Sequence, residues 1–132
     1  MKYLSAEQVL FIHSRLIDAT GGSHGVRDIG LLQSAVSRPK ATFHGRDLYA
    51  GLFRKTAALM ESLARNHPFI DGNKRTAITA SGIFLRMNGY VLECSSQELE
   101  RFALGVATGR IPLESAAEWF AGHSGKITKT RR

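Results

Sequence analysis

The sequence is poor in cysteine and contains no long apolar run. Cys94 is the single cysteine among 132 residues, which excludes an internal disulfide, and no Cys/His cluster has the spacing of a zinc site. No apolar stretch approaches the ~20 residues that span a bilayer. Glu7 and Gln8 interrupt the N-terminal segment before it forms a signal-peptide core. We therefore expect a cytoplasmic protein with no membrane partner.

Acidic residues are fewer than basic ones, 11 against 18, which gives a net charge of +7. Such a surplus favours acidic partners, namely nucleotides, nucleic acids or an acidic protein. Four basic residues lie within residues 126–132, so the rest of the chain carries +3. We interpret residues 1–125 as one domain and 126–132 as a basic, disordered tail. We do not expect nucleic acid as a partner, and a non-catalytic nucleic-acid-binding module is the alternative from another class.

Apolar residues recur at helical spacing in six stretches, with a possible short strand at residues 90–93. Ser5, Asp28, Asp47 and Ser96 are the expected helix caps. His13 lies on the apolar side of the first stretch, where a half-buried structural role is favoured over catalysis. The pattern predicts an all-α fold, a compact bundle of about six helices. The expected helices cover residues 6–19, 29–38, 47–66, 74–88, 97–108 and 113–120.

Residues 39–46 connect the second and third predicted helices and contain an aromatic residue, a histidine, a glycine and two cations. Two interpretations are open. The segment is either a surface connection with Phe43 tucked inward, or a flap over a ligand or peptide. In the second case Thr42, Phe43, His44 and Gly45 form its target-binding part.

Residues 66–77, with the sequence NHPFIDGNKRTA, concentrate polar chemistry between the two most apolar predicted helices. A helix that begins after Asp71 presents free backbone N–H groups and the positive end of its dipole, which suits an anion. Gly72 allows close approach of a ligand, and Asn73 can donate a hydrogen bond. Lys74 and Arg75 add phosphate-binding charge. Two cations in a first turn oppose the helix dipole, so an anionic ligand would relieve a local conflict.

Two residues of this stretch have both a structural and a chemical interpretation. Asp71 is either a plain N-cap or a Mg²⁺ ligand beside a phosphate. His67 is either a cap at the end of the preceding helix or a base that accepts a hydroxyl proton. Phe69 and Ile70 are interpreted as apolar anchors of the loop. Together these groups match phosphoryl or nucleotidyl transfer, although the order is neither a P-loop nor a kinase glycine-rich loop.

Residues 67–75, HPFIDGNKR, resemble the Fic/Doc family signature, His-x-Phe-x-Asp/Glu-Gly/Ala-Asn-Gly/Lys-Arg. The resemblance extends over about residues 4–120 and implies a helical Fic-like fold. Fic enzymes of the family transfer AMP from ATP to a protein hydroxyl. By this resemblance His67 is the base, Asp71 holds Mg²⁺, and the loop amides of Gly72 and Asn73 bind phosphates together with Arg75.

Lys74 departs from the AMP-transferring members, which have glycine there and usually a second arginine further along the helix. A lysine at this position resembles the signature of the death-on-curing (Doc) branch, whose members are toxins. The branch implies transfer of the γ-phosphate of ATP to a hydroxyl of translation elongation factor Tu, which blocks translation. AMP transfer is the alternative. Thr79 occupies the position where Doc-like proteins can carry an amide side chain. Its hydroxyl would be a shorter substitute for that phosphate contact.

The family's self-inhibitory signature, Ser/Thr-x-x-x-Glu-Gly/Asn, is not met in this sequence. The nearest stretch begins at Ser96 and ends in Arg101. The resemblance therefore implies that inhibition comes from a separate antitoxin chain, and the basic body suits a partner that supplies acidic residues.

Overall fold

The computed structural model describes residues 1–128, which form six α-helices, as the apolar pattern predicts. Two short antiparallel pairs, β1 with β2 and β3 with β4, accompany them. The helices are α1 (Ala6–Thr20), α2 (Ile29–Ser37), α3 (Leu52–Asn66), α4 (Asn73–Met87), α5 (Ser96–Ala107) and α6 (Leu113–Gly122). The strands are β1 (Thr42–Phe43), β2 (Arg46–Asp47), β3 (Tyr90–Leu92) and β4 (Ser124–Lys126).

Local sequence signals account for three helix starts. The Ser5 side chain accepts from the Gln8 N–H, and the Gln8 side chain accepts from the Ser5 N–H, which is the predicted capping box. Asp28 caps α2 through the Leu31 N–H, also as predicted. The prediction of Ser96 as the cap of α5 is wrong by one residue. Ser95 is the cap, because only Ser95 has a glutamate, Glu98, three residues later to complete a capping box.

The third helix begins later than predicted. Gly51, with φ of 84°, precedes its first residue, so Asp47 does not cap it. Asp47 instead lies in β2, opposite Thr42, and Leu48 is 54% exposed and outside the helix. The physical reason is an ion pair. The Asp47 carboxylate lies 3.2 Å from Lys55 Nζ, which holds the segment that contains Asp47 across the start of α3.

Lys55 is only 2% exposed, and its ammonium also donates to the Pro39 carbonyl at 2.9 Å. We expect Asp47→Ala to lower the free energy of unfolding by about 1–2 kcal/mol, because it removes the counter-charge of a buried cation. Glu114→Ala is the matched control, since Glu114 pairs with Arg54 at the surface and such pairs contribute at most about 1 kcal/mol. Urea unfolding of both variants measures the difference, and equal losses would contradict the prediction.

Helices α3 and α4 form a hairpin at the centre of the bundle. The other helices pack around this pair: α2, α5 and α6 against α3, and α1 and α5 against α4. The small residues Ala77, Ala80 and Ser81 of α4 are fully buried, which allows close packing of the helices. The six-residue loop between the two helices is therefore held at both ends by the core.

The C-terminal part of the described chain is more ordered than predicted. Lys126, the first residue of the predicted tail, ends β4 opposite Tyr90, and the Ile127 N–H donates to the Gly89 carbonyl at 2.8 Å. The rest of the predicted tail, residues 129–132, lies outside the described residues. Over residues 1–128, none of the helices combines the length and apolar content needed to cross a bilayer.

Candidate active site

The site is built on residues 67–72, which connect α3 to α4 and are called the site loop below. His67 ends α3 in a left-handed conformation, with φ of 53°, and its side chain is exposed. The carbonyls at this helix end are capped by Arg27, which donates through Nε to His67 (2.6 Å) and through Nη2 to Asn66 (2.7 Å). Because Arg27 supplies this cap, the His67 side chain is not needed for it.

The chain before α2 clamps the site loop along its length. Val26 forms a β-bridge with Phe69, and the Ile70 N–H donates to the Gly25 carbonyl at 3.1 Å. The Pro68 carbonyl accepts from the backbone N–H groups of residues 27 and 28. Gly25 has φ of 126°, and a Cβ there would lie 2.7 Å from Ile70 Cδ1. A side chain at position 25 would therefore be strained by the backbone conformation and would force the exposed Ile70 side chain to move.

Only one of the two predicted loop anchors is an anchor. Phe69 is buried and stacks face to face on His13 of α1, with ring centroids 3.8 Å apart. Ile70 is 60% exposed, so its prediction as an anchor is wrong. The alternating direction of an extended backbone turns Ile70 outward once Phe69 enters the core. His13 has the predicted structural position and is buried more completely than expected.

Asn73 uses its side chain to close the loop. Its Oδ1 accepts from the Phe69 N–H at 2.9 Å, and its Nδ2 donates to the Phe69 carbonyl at 3.0 Å. The amide is therefore engaged with the backbone and does not have the ligand-donor role that the sequence suggested. Its backbone N–H, at the first position of α4, is the group that faces the helix start.

We expect Asn73→Ala to lower the free energy of unfolding by about 2–3 kcal/mol, because it leaves a buried N–H and carbonyl of Phe69 without partners. The matched control is Asn66→Ala at the exposed end of α3, which we expect to change stability by less than about 0.5 kcal/mol. Thermal and urea unfolding measure both variants. A loss at position 73 no larger than at position 66 would show that this pair of hydrogen bonds does not hold the loop.

Asp71 is a hydrogen-bonded, partly exposed carboxylate beside the start of α4. It accepts from the Gly72 N–H at 2.8 Å and from the Ser23 N–H at 3.1 Å. These bonds, with the nearby Arg75, hold the pKa of Asp71 below its ordinary value, so the group is ionised at neutral pH. Asp71 is not the N-cap of α4, because Gly72 occupies that position with φ of 76°. The plain N-cap interpretation of Asp71 is therefore wrong.

The two cations lie on opposite sides of the helix start. Lys74 Nζ lies 3.3 Å from Glu100 Oε1 on α5. On the other side, Arg75 donates to the Thr20 hydroxyl and to the Gly21 carbonyl at the end of α1. The N-terminal N–H groups of α4 thus lie between an ammonium and a guanidinium, an arrangement that suits an extended polyanion.

An open pocket of about 320 Å³ brings most of the predicted residues together. Its lining comprises His67, Ile70, Asp71, Gly72, Asn73, Lys74 and Arg75. Thr79, one turn further along α4 and half-buried, is not among the described residues that line it. The structure therefore does not bring the predicted Thr79 contact to this pocket.

The predicted flap is a β-hairpin, which the sequence did not indicate. Thr42 and Phe43 form β1, and His44 and Gly45 make the turn with φ of 53° and 76°. Phe43 is 66% exposed, and its ring contacts His44 edge to face, so the interpretation with Phe43 tucked inward is wrong. None of these four residues lines the pocket of the site loop in the part of the chain that the structure describes.

Of the residues that the structure describes, Asp71 is the one carboxylate in the pocket lining that could hold a metal ion. Mg²⁺ in nucleotide sites takes one or two carboxylates and completes its shell with phosphate oxygens and waters. The ionised, partly exposed Asp71 supplies one such carboxylate at the helix start. Within residues 1–128, no three His, Cys, Asp or Glu side chains gather into an all-protein metal cluster.

Comparison with known proteins identifies the family. A sequence model described as "Fic/DOC family" matches residues 3–85, more than half of the chain. "Toxin Doc" of Mycolicibacterium smegmatis is 46% identical over 123 residues, which cover 92% of each chain. "Protein kinase doc" of Escherichia phage P1 is 35% identical over 118 residues, 89% of this chain and 92% of that protein. With every signature residue except the buried Phe69 lining one pocket between the two central helices, the chain belongs to the Fic/Doc family.

Proposed function

We propose that this protein is a Doc-type toxin, a kinase that transfers the γ-phosphate of ATP to a hydroxyl of a target protein. The observation that carries the proposal is the pocket at the start of α4. It combines an exposed histidine, an ionised carboxylate and two flanking cations, His67, Asp71, Lys74 and Arg75. The names of the two relatives, a Doc toxin and a Doc protein kinase, support the same activity.

His67 acts as the general base. Its imidazole is exposed at the pocket and is not needed as a helix cap, because Arg27 has that role. An unprotonated ring nitrogen accepts the proton of the target hydroxyl as its oxygen bonds to the γ-phosphorus. The bond from the γ-phosphorus to the bridging oxygen breaks, and ADP leaves with that electron pair.

The helix start binds the phosphates. The backbone N–H of Asn73 provides an uncharged donor, while the Gly72 N–H holds the Asp71 carboxylate beside it. Lys74 and Arg75 provide charge from either side. Asp71 is the proposed Mg²⁺ ligand, and the ion neutralises charge on the phosphate oxygens when it is bound. Gly72 contributes by adopting the left-handed conformation that precedes α4, with φ of 76°, in which a side chain would be strained.

Lys74 selects the phosphorus that is attacked. It occupies the position where AMP-transferring relatives have glycine, and its ammonium lies on the α5 side of the helix start. A lysine there fills space that the distal phosphates require in AMP transfer and adds a charge suited to a γ-phosphoryl group. We therefore favour phosphorylation over AMP transfer.

The proposal extends to partners and location. By resemblance the target is translation elongation factor Tu, so phosphorylation would block translation. A toxin requires a neutralising antitoxin, which we propose is a separate chain with acidic residues, since this chain carries a net charge of +7. We also propose that the protein acts in the cytoplasm, where a translation factor would be its target.

The proposal is tested by incubating the protein with Mg²⁺, a bacterial lysate and ATP labelled at either the γ- or the α-phosphate. We expect protein-bound label from γ-labelled ATP alone. Label from α-labelled ATP alone would instead establish AMP transfer. No protein-bound label from either, combined with salt-dependent RNA binding that persists in Asp71→Ala, would favour the nucleic-acid-binding alternative.

A further inference from the structure

His13 of α1 is a buried histidine that the proposed chemistry does not use. It is 3% exposed, and its ring lies parallel to Phe69, with an interplanar angle of 4°. Its Nε2 lies 2.8 Å from the Asp71 carbonyl oxygen. A carbonyl only accepts, so Nε2 carries the hydrogen and donates it. One side chain of α1 thus binds the site loop at two points.

The hydrogen bond determines how one peptide of the loop is oriented. In a trans peptide the carbonyl and the following N–H point in opposite directions. Because the Asp71 carbonyl is turned inward to His13, the N–H of Gly72 is turned outward. That N–H donates to the Asp71 carboxylate at 2.8 Å on the pocket side. Both pocket groups, the Gly72 N–H and the Asp71 carboxylate, therefore depend on the same peptide plane.

Gly72 makes this peptide plane easy to rotate. Its φ of 76° and ψ of 20° lie in the left-handed region, and glycine also tolerates the alternatives that other residues resist. Without a donor beneath it, the Asp71 carbonyl would be a partly buried acceptor with no protein partner, which favours rotation of the peptide toward water.

We propose that His13 is a positioning residue for the phosphate site, and that its Nε2–H sets the Asp71–Gly72 peptide so that the Gly72 N–H holds the Asp71 carboxylate on the pocket side. The inference rests on the proposed function for its ligand, a nucleotide phosphate. It adds a residue from a separate helix, 58 positions away in sequence, to the machinery of the site loop.

The competing explanation is that His13 only packs against Phe69. Three substitutions separate the two. His13→Gln places an amide donor near the position of Nε2 and removes the ring. His13→Met has similar length without a donor, and His13→Phe keeps an aromatic ring for stacking without a donor. The Gln and Met pair therefore isolates the hydrogen bond, and Phe isolates the stacking.

The test measures Mg²⁺-ATP binding by calorimetry and the Gly72 amide by ¹⁵N NMR and hydrogen exchange. For His13→Met and His13→Phe we expect about tenfold weaker binding, the size of one lost hydrogen bond, with a shifted and faster-exchanging Gly72 amide. His13→Gln is expected to stay within about threefold of the parent protein. Equal binding by the Gln and Met variants, or parent-like binding by Phe with loss in Gln, would overturn the proposal.

The amide measurement keeps this inference separate from the proposed function. If the parent protein does not bind ATP, the proposed function fails, but the Gly72 amide still reports whether His13 orients the peptide. An unchanged Gly72 resonance in both donor-free variants refutes the positioning role even if ATP binds. Melting temperatures of the three variants establish that each comparison is made between folded proteins.

Discussion

His67→Asn is expected to lower the rate of phosphoryl transfer about a thousandfold, the usual magnitude for removal of a general base. Asparagine is the sharpest replacement, because position 67 has φ of 53° and asparagine tolerates the left-handed region better than most residues. The loss of activity can therefore be assigned to the missing base and not to a distorted end of α3. Initial rates of protein labelling from γ-labelled ATP measure the effect.

His24→Asn is the matched control for this prediction. His24 is exposed, its Nε2 lies 2.8 Å from Asp18 Oδ1, and it does not line the pocket among the described residues. We expect its activity to equal that of the parent protein. If His67→Asn retains full activity, the histidine is not the base, and its role at the end of α3 is only structural.

Asp71→Asn is expected to lower the transfer rate about a hundredfold and to raise the Mg²⁺ concentration needed for half-maximal activity by a similar factor. Asparagine has nearly the shape of aspartate and keeps an oxygen for one of the two N–H groups, Ser23 or Gly72, which Asp71 binds through separate oxygens. What the substitution removes is the negative charge, which the lowered pKa of Asp71 maintains at neutral pH. Magnesium titrations of the labelling rate measure both effects.

Asp18→Asn provides the control, because Asp18 is an exposed carboxylate that pairs with His24 outside the pocket. It should leave the rate and the magnesium dependence unchanged. An Asp71→Asn variant with the parent's magnesium titration would show that the carboxylate is not the metal ligand. Its hydrogen bonds to Ser23 and Gly72 would then be its whole role.

The parts of the fold that the sequence predicts are those with local causes. The start of α1 follows from a hydroxyl and an amide three residues apart, Ser5 and Gln8, which need no other segment. The start of α3 was misplaced because its determinant is not local. Asp47 is a residue type that commonly caps helices, but its carboxylate pairs with Lys55 and the residue lies in a β-hairpin. The spacing of apolar residues does not predict that hairpin.

The candidate site likewise has parts that local sequence determines and parts that depend on distant residues. Its chemistry lies in one continuous stretch, so composition and helix position were enough to single out His67, Asp71 and the two cations that line one pocket. The family resemblance was needed to prefer a chemical role over helix capping for His67 and Asp71. The residues that hold this stretch in place come from elsewhere in the chain. Arg27 caps the end of α3, and His13 binds the site loop from beneath. A single sequence carries no signal that joins residues 40 or 58 positions apart.

Two predicted site residues show the limit of inference from residue type. An asparagine at a helix start has the chemistry of a ligand donor, yet both ends of the Asn73 amide bind the backbone of Phe69. Thr79 has a suitable hydroxyl, but its position along α4 keeps it out of the pocket lining. The role of Phe43 and His44 in binding a target stays a prediction, because the hairpin that carries them is exposed and separate from that lining.

The central claim is that the pocket at the start of α4 transfers the γ-phosphate of ATP to a protein hydroxyl. The most direct test is mass spectrometry of the target after incubation with the protein, unlabelled ATP and Mg²⁺, with His67→Asn as the blank. Our account predicts one added phosphate group on a serine, threonine or tyrosine and release of ADP. An added AMP on that hydroxyl, with release of pyrophosphate, would contradict it.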